Sequence, residues 1–229
     1  MEIKRYRDAR ELTQAAAELI CEDCHSALAN RAGSYTLGLS GGKTPPLMFD
    51  ALTELPMPWD RVHVFQVDER VAVPGSKDRN FTQLSERLLK SIRIPDENVH
   101  PMPVEDDDLE SACRRYEEAI CRVTGTRSLD LLQLGLGDDG HTASLPPDDP
   151  ILDVADRDVW YVERFNGLPR MSMTLPSINR AERIVWLATG SARADMCRRL
   201  VATDRTIPAG RVENEHIVLL VDEDAAIYL

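Results

Sequence analysis

Short apolar runs and longer stretches with helical periodicity alternate along this chain. The run from Leu129 to Leu136 contains one Gln among apolar residues and Gly135, which is typical of a strand buried on both faces of a parallel sheet. Helical patterns lie between the apolar runs, and no internal repeat or linker interrupts them. The alternation predicts a single α/β domain over residues 1–229, with an open, mostly parallel, Rossmann-like sheet and helices on both faces. The other strands are predicted at 35–39, 61–67, 159–163, 170–174, 183–188 and 216–221, and the helices at about 8–30, 45 onward, 81–91, 109–124, 178–181 and 191–201.

The polarity changes abruptly after the central apolar run. Glycines bracket Asp138 and Asp139, and His141 follows within two residues of Asp139. We expect Thr142 to Ser144 to open a helical turn. A small-residue loop at the carboxyl end of a buried strand is where open α/β sheets bind ligands. The pattern therefore predicts a site containing a carboxylate and an imidazole.

A second glycine-containing turn joins the 35–39 strand to a helix. It reads Ser40-Gly41-Gly42-Lys43-Thr44, and Pro45 and Pro46 occupy the first helical positions, where a missing N–H costs no hydrogen bond. Free backbone N–H groups at a helix start suit a phosphate. Both complete nucleotide-binding patterns, G-x-G-x-x-G and G-x-x-x-x-G-K-[ST], are absent, so a plain tight turn is the alternative.

Charged residues follow two further predicted strands. Asp68, Glu69 and Arg70 end the 61–67 run, where they either form a solvated edge or face the same crevice as the loops. Asn80 is expected to cap the helix that follows them. Arg193 lies at the start of the 191–201 helix, which predicts a second anion-binding group.

Composition and charge limit the classes of molecule that the protein is expected to bind. No run approaches the roughly 20 apolar residues of a membrane helix, and the first residues lack the pattern of a secretory signal. The formal charge of -12 argues against nucleic acid and anionic membranes, because an acidic surface gains no counterion release from them. We expect a cytoplasmic protein.

The five cysteines are an odd number, which favours free thiols in a reducing compartment. Cys21, Cys24 and His25 match the C-x-x-C-H pattern of covalent haem attachment. The same residues continue a helical apolar face, so buried helix thiols are the preferred interpretation.

Four motifs resemble, in order and in spacing, those of the 6-phosphogluconolactonases. They are Ser40 to Pro45, Val67 to Arg70, Gly135 to Ser144 and Arg170 to Ala181. The resemblance covers about residue 10 to the end. It implies a sheet of the sugar-phosphate isomerase/deaminase type and hydrolysis of 6-phospho-D-glucono-1,5-lactone to 6-phospho-D-gluconate in the oxidative pentose phosphate pathway. It implies neither a metal nor a cofactor, and the expected assembly is a monomer or a weak homodimer.

The resemblance also implies roles for individual residues. His141 matches the general base that activates water, Asp139 the accompanying carboxylate, and Arg70 an arginine that faces the substrate. Two positions depart from the family pattern: Arg193 replaces a lysine, and Pro146 replaces a phenylalanine. The residues implied to bind the substrate or its phosphate are Ser40, Gly41, Gly42, Thr44, Asp68, Arg170 and Arg193.

Two other functions compete with this one. Glucosamine-6-phosphate deaminases share the phosphate turn and the Asp-Gly-His loop, but carry a glutamate five residues after the histidine. Pro146 stands at that position here. A noncatalytic sugar-phosphate sensor is the second alternative, although regulators of that kind add a DNA-binding helix-turn-helix and this chain has no basic face.

Overall fold

The computed structural model describes residues Met1 to Leu229 and contains two sheets. Seven strands form one parallel sheet in the order β1-β10-β9-β6-β2-β3-β5, and three form an antiparallel sheet in the order β4-β8-β7. The strands are β1 (Glu2–Tyr6), β2 (Tyr35–Leu39), β3 (Val62–Gln66), β4 (Asp68–Arg70), β5 (Val99–His100), β6 (Leu131–Gly135), β7 (Val159–Phe165), β8 (Leu168–Met173), β9 (Arg183–Ala188) and β10 (Ile217–Asp222).

Local sequence signals set the helix ends. Asp8 caps the first helix by accepting a hydrogen bond from the N–H of Glu11. Gly125 ends the fourth helix with φ of 69°, a conformation that glycine adopts without steric penalty. The helices are α1 (Ala9–Asn30), α2 (Pro45–Thr53), α3 (Asn80–Arg87), α4 (Leu109–Thr124), α5 (Leu175–Asn179) and α6 (Ala194–Val201).

Alternate residues of the parallel strands enter two separate hydrophobic clusters. Leu131 packs with side chains of α1 and α2 on one face, and Leu132 packs with α4 and α6 on the other. Because both faces are buried, the strands show continuous apolar runs instead of alternation. The predicted fold class, an open and mostly parallel sheet covered on both faces, is confirmed.

The antiparallel sheet and β1 were not predicted. Asp68 to Arg70 form a strand that pairs with β8, so the solvated-edge interpretation is wrong: Asp68 and Glu69 are buried. β1 pairs with β10 at the edge of the large sheet. Both segments are too charged to show the apolar pattern of a strand, because tertiary pairing and not local propensity determines them.

Several predicted helical features differ in the structure. The turn at Thr142 to Ser144 is not helical: Ala143 has φ of 50°, outside the right-handed helical region, and Thr142 forms an antiparallel bridge with Leu145. The 81–91 helix begins at Asn80 and ends at Arg87, before a separate 3-10 turn. The Asn80 side chain does not cap the helix, because it donates to Asp68 instead.

The haem interpretation is wrong for a geometric reason. Cys21 and Cys24 are buried in the α1 face, while the His25 ring is exposed and bonded to the carbonyl of Pro56. All five cysteines are free thiols. None of the helices has the length and apolarity required to cross a membrane.

Candidate active site

The loops that follow β2, β6 and β9 open into one cleft, together with β4 and the β7–β8 hairpin. All of the site residues predicted from the sequence line this cleft except Asp139, which contacts it through His141. The carboxyl ends of parallel strands meet at one sheet edge, so residues more than 100 positions apart converge there.

His141 and Asp139 form a hydrogen-bonded pair at the mouth of β6. Oδ1 of Asp139 lies 2.5 Å from Nδ1 of His141, and the same oxygen accepts the backbone N–H of His141 at 3.0 Å. The pair lies directly over Gly137, where an added Cβ would sit 2.1 Å from Nδ1. Gly137 is therefore required by close approach of the ring to the backbone.

The carboxylate of this pair has a perturbed pKa. Partial burial acts to raise the pKa of Asp139, but the hydrogen bonds and the charge of His141 outweigh it, and the pKa lies below its ordinary value. With Asp139 ionised, Nδ1 carries the proton and Nε2 is left as an acceptor. An imidazole oriented in this way can remove a proton from water.

The glycine turn after β2 presents polar atoms to the cleft. Thr44 Oγ1 lies 2.8 Å from Thr189 Oγ1, and the N–H of Ser40 donates to Gln133 at 3.2 Å. Gly41 has no room for a side chain, because an added Cβ would lie 1.9 Å from Oδ1 of Asn80. The turn is thus packed against α3, with its backbone facing the cleft, as an anion-binding turn requires.

Two arginines lie directly opposite each other across β4 and β8. Arg70 and Arg170 are cross-strand partners, and Arg170 is only 6% exposed. Burial, and next the charge of Arg70, lower the pKa of Arg170. Like charges at directly opposed positions destabilise a sheet. Negatively charged groups of a substrate bound beside them would offset this repulsion, so the arrangement indicates a site for an anionic substrate.

The acidic residues of β4 are held by hydrogen bonds. Oδ2 of Asp68 accepts from the hydroxyl of Ser144 at 2.7 Å, and its backbone carbonyl accepts from Asn80 at 2.9 Å. Glu69 is fully buried and accepts from the N–H groups of Asn80 and Phe81 at 2.7 and 2.8 Å. These bonds tie the start of α3 to the cleft wall.

Several cleft residues were not predicted. Asn80 was assigned as a helix cap, Lys43 was seen only as part of the turn, and Phe165, Asn166 and Thr189 were not singled out. The Asn166-Gly167 dipeptide was a usable signal, since Asn-Gly between strands favours a two-residue hairpin. No three His, Cys, Asp or Glu side chains converge as a metal ion would require.

The amino-acid sequence matches a known protein family over most of its length. Residues 7–221 match the family model described as glucosamine-6-phosphate isomerases/6-phosphogluconolactonase. The chain belongs to this family. A 6-phosphogluconolactonase of Synechocystis sp. is 36% identical over 208 residues, which are 87% of this chain and 86% of that protein.

Solved structures of the family share the fold. A 6-phosphogluconolactonase from Thermotoga maritima superimposes with a TM-score of 0.87 at 27% identity, over 97% of this chain and 99% of that one. A monomeric glucosamine-6-phosphate deaminase has a TM-score of 0.86 at 20% identity, over 100% of both chains. The fold alone therefore does not distinguish the two activities, and the site residues must do so.

Proposed function

We propose that this protein hydrolyses 6-phospho-D-glucono-1,5-lactone to 6-phospho-D-gluconate. The observation that carries the proposal is the His141–Asp139 pair, which lies in a cleft that also contains an opposed pair of arginines. A base beside an anion site suits a substrate that is both hydrolysable and phosphorylated. The identity to 6-phosphogluconolactonases over most of the chain supports the same activity.

In the proposed reaction, Nε2 of His141 takes a proton from a water molecule as the oxygen attacks the lactone carbonyl. Asp139 holds the ring and stabilises the imidazolium that forms. The tetrahedral intermediate carries a negative charge on the former carbonyl oxygen, and Arg70 is the catalytic cation assigned to it. The bond to the ring oxygen then breaks, and the imidazolium returns its proton to that oxygen.

The phosphate is assigned to the basic side of the cleft. Arg170 and Arg193 supply charge, and the backbone of Gly41 and Gly42 with the hydroxyl of Thr44 supplies further donors. Ser40 and Asp68 are assigned to the hydroxyl groups of the sugar. Ser40 lines the cleft, and its hydroxyl oxygen has no hydrogen-bond partner within the protein, which supports this assignment.

A deaminase is the second candidate, and one position argues against it. Pro146, at the place where the family's deaminases carry a glutamate, is buried and has no acid or base function. The deaminase reaction opens the sugar ring, and the acid/base group that assists this step is missing at that position. A noncatalytic sugar-phosphate sensor would require the same phosphate contacts but no oriented base.

Three measurements separate the three functions: lactone hydrolysis, ammonia release and binding of the sugar phosphate. The lactone is generated in situ from glucose 6-phosphate, and its disappearance is followed with and without the protein, with spontaneous hydrolysis as the baseline. Ammonia release from glucosamine 6-phosphate is measured in parallel. We expect accelerated lactone loss and no ammonia. Ammonia release without lactone hydrolysis would establish the deaminase, and binding of the sugar phosphate with neither reaction would establish the sensor.

A further inference from the structure

Phe165 stands at the tip of the β7–β8 hairpin, between His141 and Arg170. Its ring lies edge-to-face with the His141 imidazole, with centroids 4.9 Å apart and an interplanar angle of 80°. The guanidinium carbon of Arg170 lies 5.4 Å from the centroid of the same ring. Nε of Arg170 also donates to the backbone carbonyl of Phe165 at 3.1 Å. One residue therefore contacts both the assigned base and the assigned phosphate arginine.

The backbone of the hairpin aims Phe165 at the cleft. The pairing register shifts between Val162 and Phe165, so that an extra residue is accommodated on β7. Such a bulge bends a strand and redirects the side chains beyond it. The two-residue turn Asn166-Gly167 then fixes the tip, with φ of 51° and 88° as a type I′ turn requires.

Both contacts of the ring are favourable geometries. Edge-to-face pairs place the positive edge of one ring against the negative face of the other. A guanidinium near an aromatic face is attracted by the same quadrupole, and this matters more for a cation that is nearly buried, as Arg170 is. The ring thus restrains two side chains that must act on opposite ends of one substrate.

We propose that Phe165 is a positioning residue, which fixes the imidazole of His141 and the guanidinium of Arg170 relative to each other. The inference rests on the proposed lactonase function. A phosphorylated lactone bound through Arg170 is then presented to the base at a set distance. Loss of the ring should loosen the side chains of both His141 and Arg170, because neither has another aromatic neighbour.

Phe165→Leu is the direct test, since it keeps an apolar side chain and removes the ring. We expect kcat to fall about 2- to 10-fold on both the phosphorylated lactone and glucono-1,5-lactone, through His141. KM should rise about 2- to 5-fold for the phosphorylated lactone only, through Arg170. Phe165→Tyr retains the ring and should stay close to the wild type.

The chain offers a matched control on the same strand. Trp160 is half-buried like Phe165, and Arg157 lies over its ring at 4.9 Å, but it does not line the cleft. Trp160→Leu should change neither kcat nor either KM. In the Arg170→Ala background, Phe165→Leu should no longer raise KM, because the partner through which it acts is gone.

A readout independent of activity separates this inference from the proposed function. The ring ¹⁵N NMR signals of His141, assigned by their loss in His141→Asn, report which nitrogen carries the proton, over a range far larger than the ring-current effect of the lost phenyl group. They should move toward the average of the two tautomers in Phe165→Leu and stay in place in Trp160→Leu. Absence of lactone hydrolysis by the wild type would refute the lactonase, whereas the NMR shift would still support the positioning role. Unchanged His141 signals, or equal kinetic effects of Phe165→Leu and Trp160→Leu, would overturn it.

Discussion

Asp139 holds His141 by two bonds to the same oxygen: Oδ1 accepts the backbone N–H of His141 at 3.0 Å and lies 2.5 Å from the ring Nδ1. The double contact restrains the position of the ring and favours the tautomer that carries the proton on Nδ1. We expect His141→Asn to lower kcat about 10²- to 10⁴-fold, the usual contribution of a general base. Asp139→Asn should cost less, because it removes only a partner that orients the ring and stabilises its charged form.

Steady-state kinetics of the folded variants test this pair, together with the affinity for a substrate analogue. Asp148→Asn, an exposed carboxylate a few residues away, is the matched control and should behave as the wild type. Turnover near normal in His141→Asn would contradict the general-base assignment. Loss of folding and of analogue binding together would make His141 a structural residue of the loop.

The pH dependence of kcat/KM follows from the same pair. Only a neutral imidazole accepts a proton, so the proposed general base predicts a kcat/KM that rises with pH on the acid side of its profile. The pKa of Asp139 is lowered in the folded protein, so its carboxylate is ionised across the pH range in which imidazoles ordinarily change charge. Its orienting effect is lost only as pH falls through that lowered pKa. A second acid limb between about pH 5 and 8 would contradict this order.

Phosphate recognition should depend on Arg193. Arg193→Ala should raise KM for the phosphorylated lactone by an amount equivalent to about 1.5 to 3 kcal/mol, as for a charge-assisted contact. Glucono-1,5-lactone should be a poor substrate and should be almost insensitive to the change. Arg198→Ala is the control, because Arg198 lies on the following helix and pairs with Asp195 at 2.6 Å. Equal losses on both lactones would show that the phosphate site lies elsewhere.

Sequence motifs predicted the parts of the site that lie in loops after apolar strands. Gly41, Gly42 and His141 belong to segments whose local composition indicates a loop after a buried strand, and all three line one cleft. Phe165 and Asn80 were missed because their roles depend on tertiary contacts. Asn80 has the sequence of a helix cap, yet its amide is taken by the carbonyl of Asp68, which the sequence does not place beside it.

The strands also divide into those that local sequence predicted and those that depend on tertiary contacts. Buried parallel strands such as β6 were located within two residues at each end, since their apolar runs reflect burial on both faces. β4 and β1 consist largely of charged residues and were not recognised, because pairing with β8 and β10 determines them. Local propensity carries little information about strands of this kind.

Glu69 should be important for stability because its buried carboxylate has no access to water. It accepts from the N–H groups of Arg70, Asn80 and Phe81, all at 2.7 to 2.8 Å, and from the side chain of Gln66. Glu69→Gln replaces an acceptor oxygen by a donor that faces other donors. We expect the free energy of unfolding to fall by about 2 to 4 kcal/mol.

Urea unfolding measures this loss. Glu110→Gln is the control, because the exposed ion pair of Glu110 with Arg114 on α4 should contribute only about 0.5 kcal/mol or less. If the two variants lose the same stability, the buried hydrogen bonds of Glu69 contribute no more than a surface pair.

Stability should also fall in mild acid because of a histidine pair at the edge of the sheet. Nδ1 of His63 lies 2.9 Å from Nε2 of His100, and the His100 ring stacks on Phe65 with centroids 4.2 Å apart. Burial, the neighbouring His63 and Arg122 lower the pKa of His100 to about 4. Burial likewise lowers the pKa of His63, with Glu97 opposing. A bond between two ring nitrogens needs one of them to remain unprotonated.

The direction of the effect follows from proton binding in the two states. The unfolded chain binds protons at these histidines near pH 6.5, whereas the folded protein resists binding until about pH 4 at His100. The stabilising contribution is therefore complete above pH 6.5 and is lost as pH falls toward 4. Because the rings are partly exposed, we expect a loss of only about 1 kcal/mol.

Two histidine variants test this effect. His100→Gln should make the free energy of unfolding depend less on pH between pH 7.5 and 5. His216→Gln, at an exposed histidine, should leave the pH dependence of the wild type unchanged. Parallel pH profiles for His100→Gln and the wild type would show that the pair does not control acid stability.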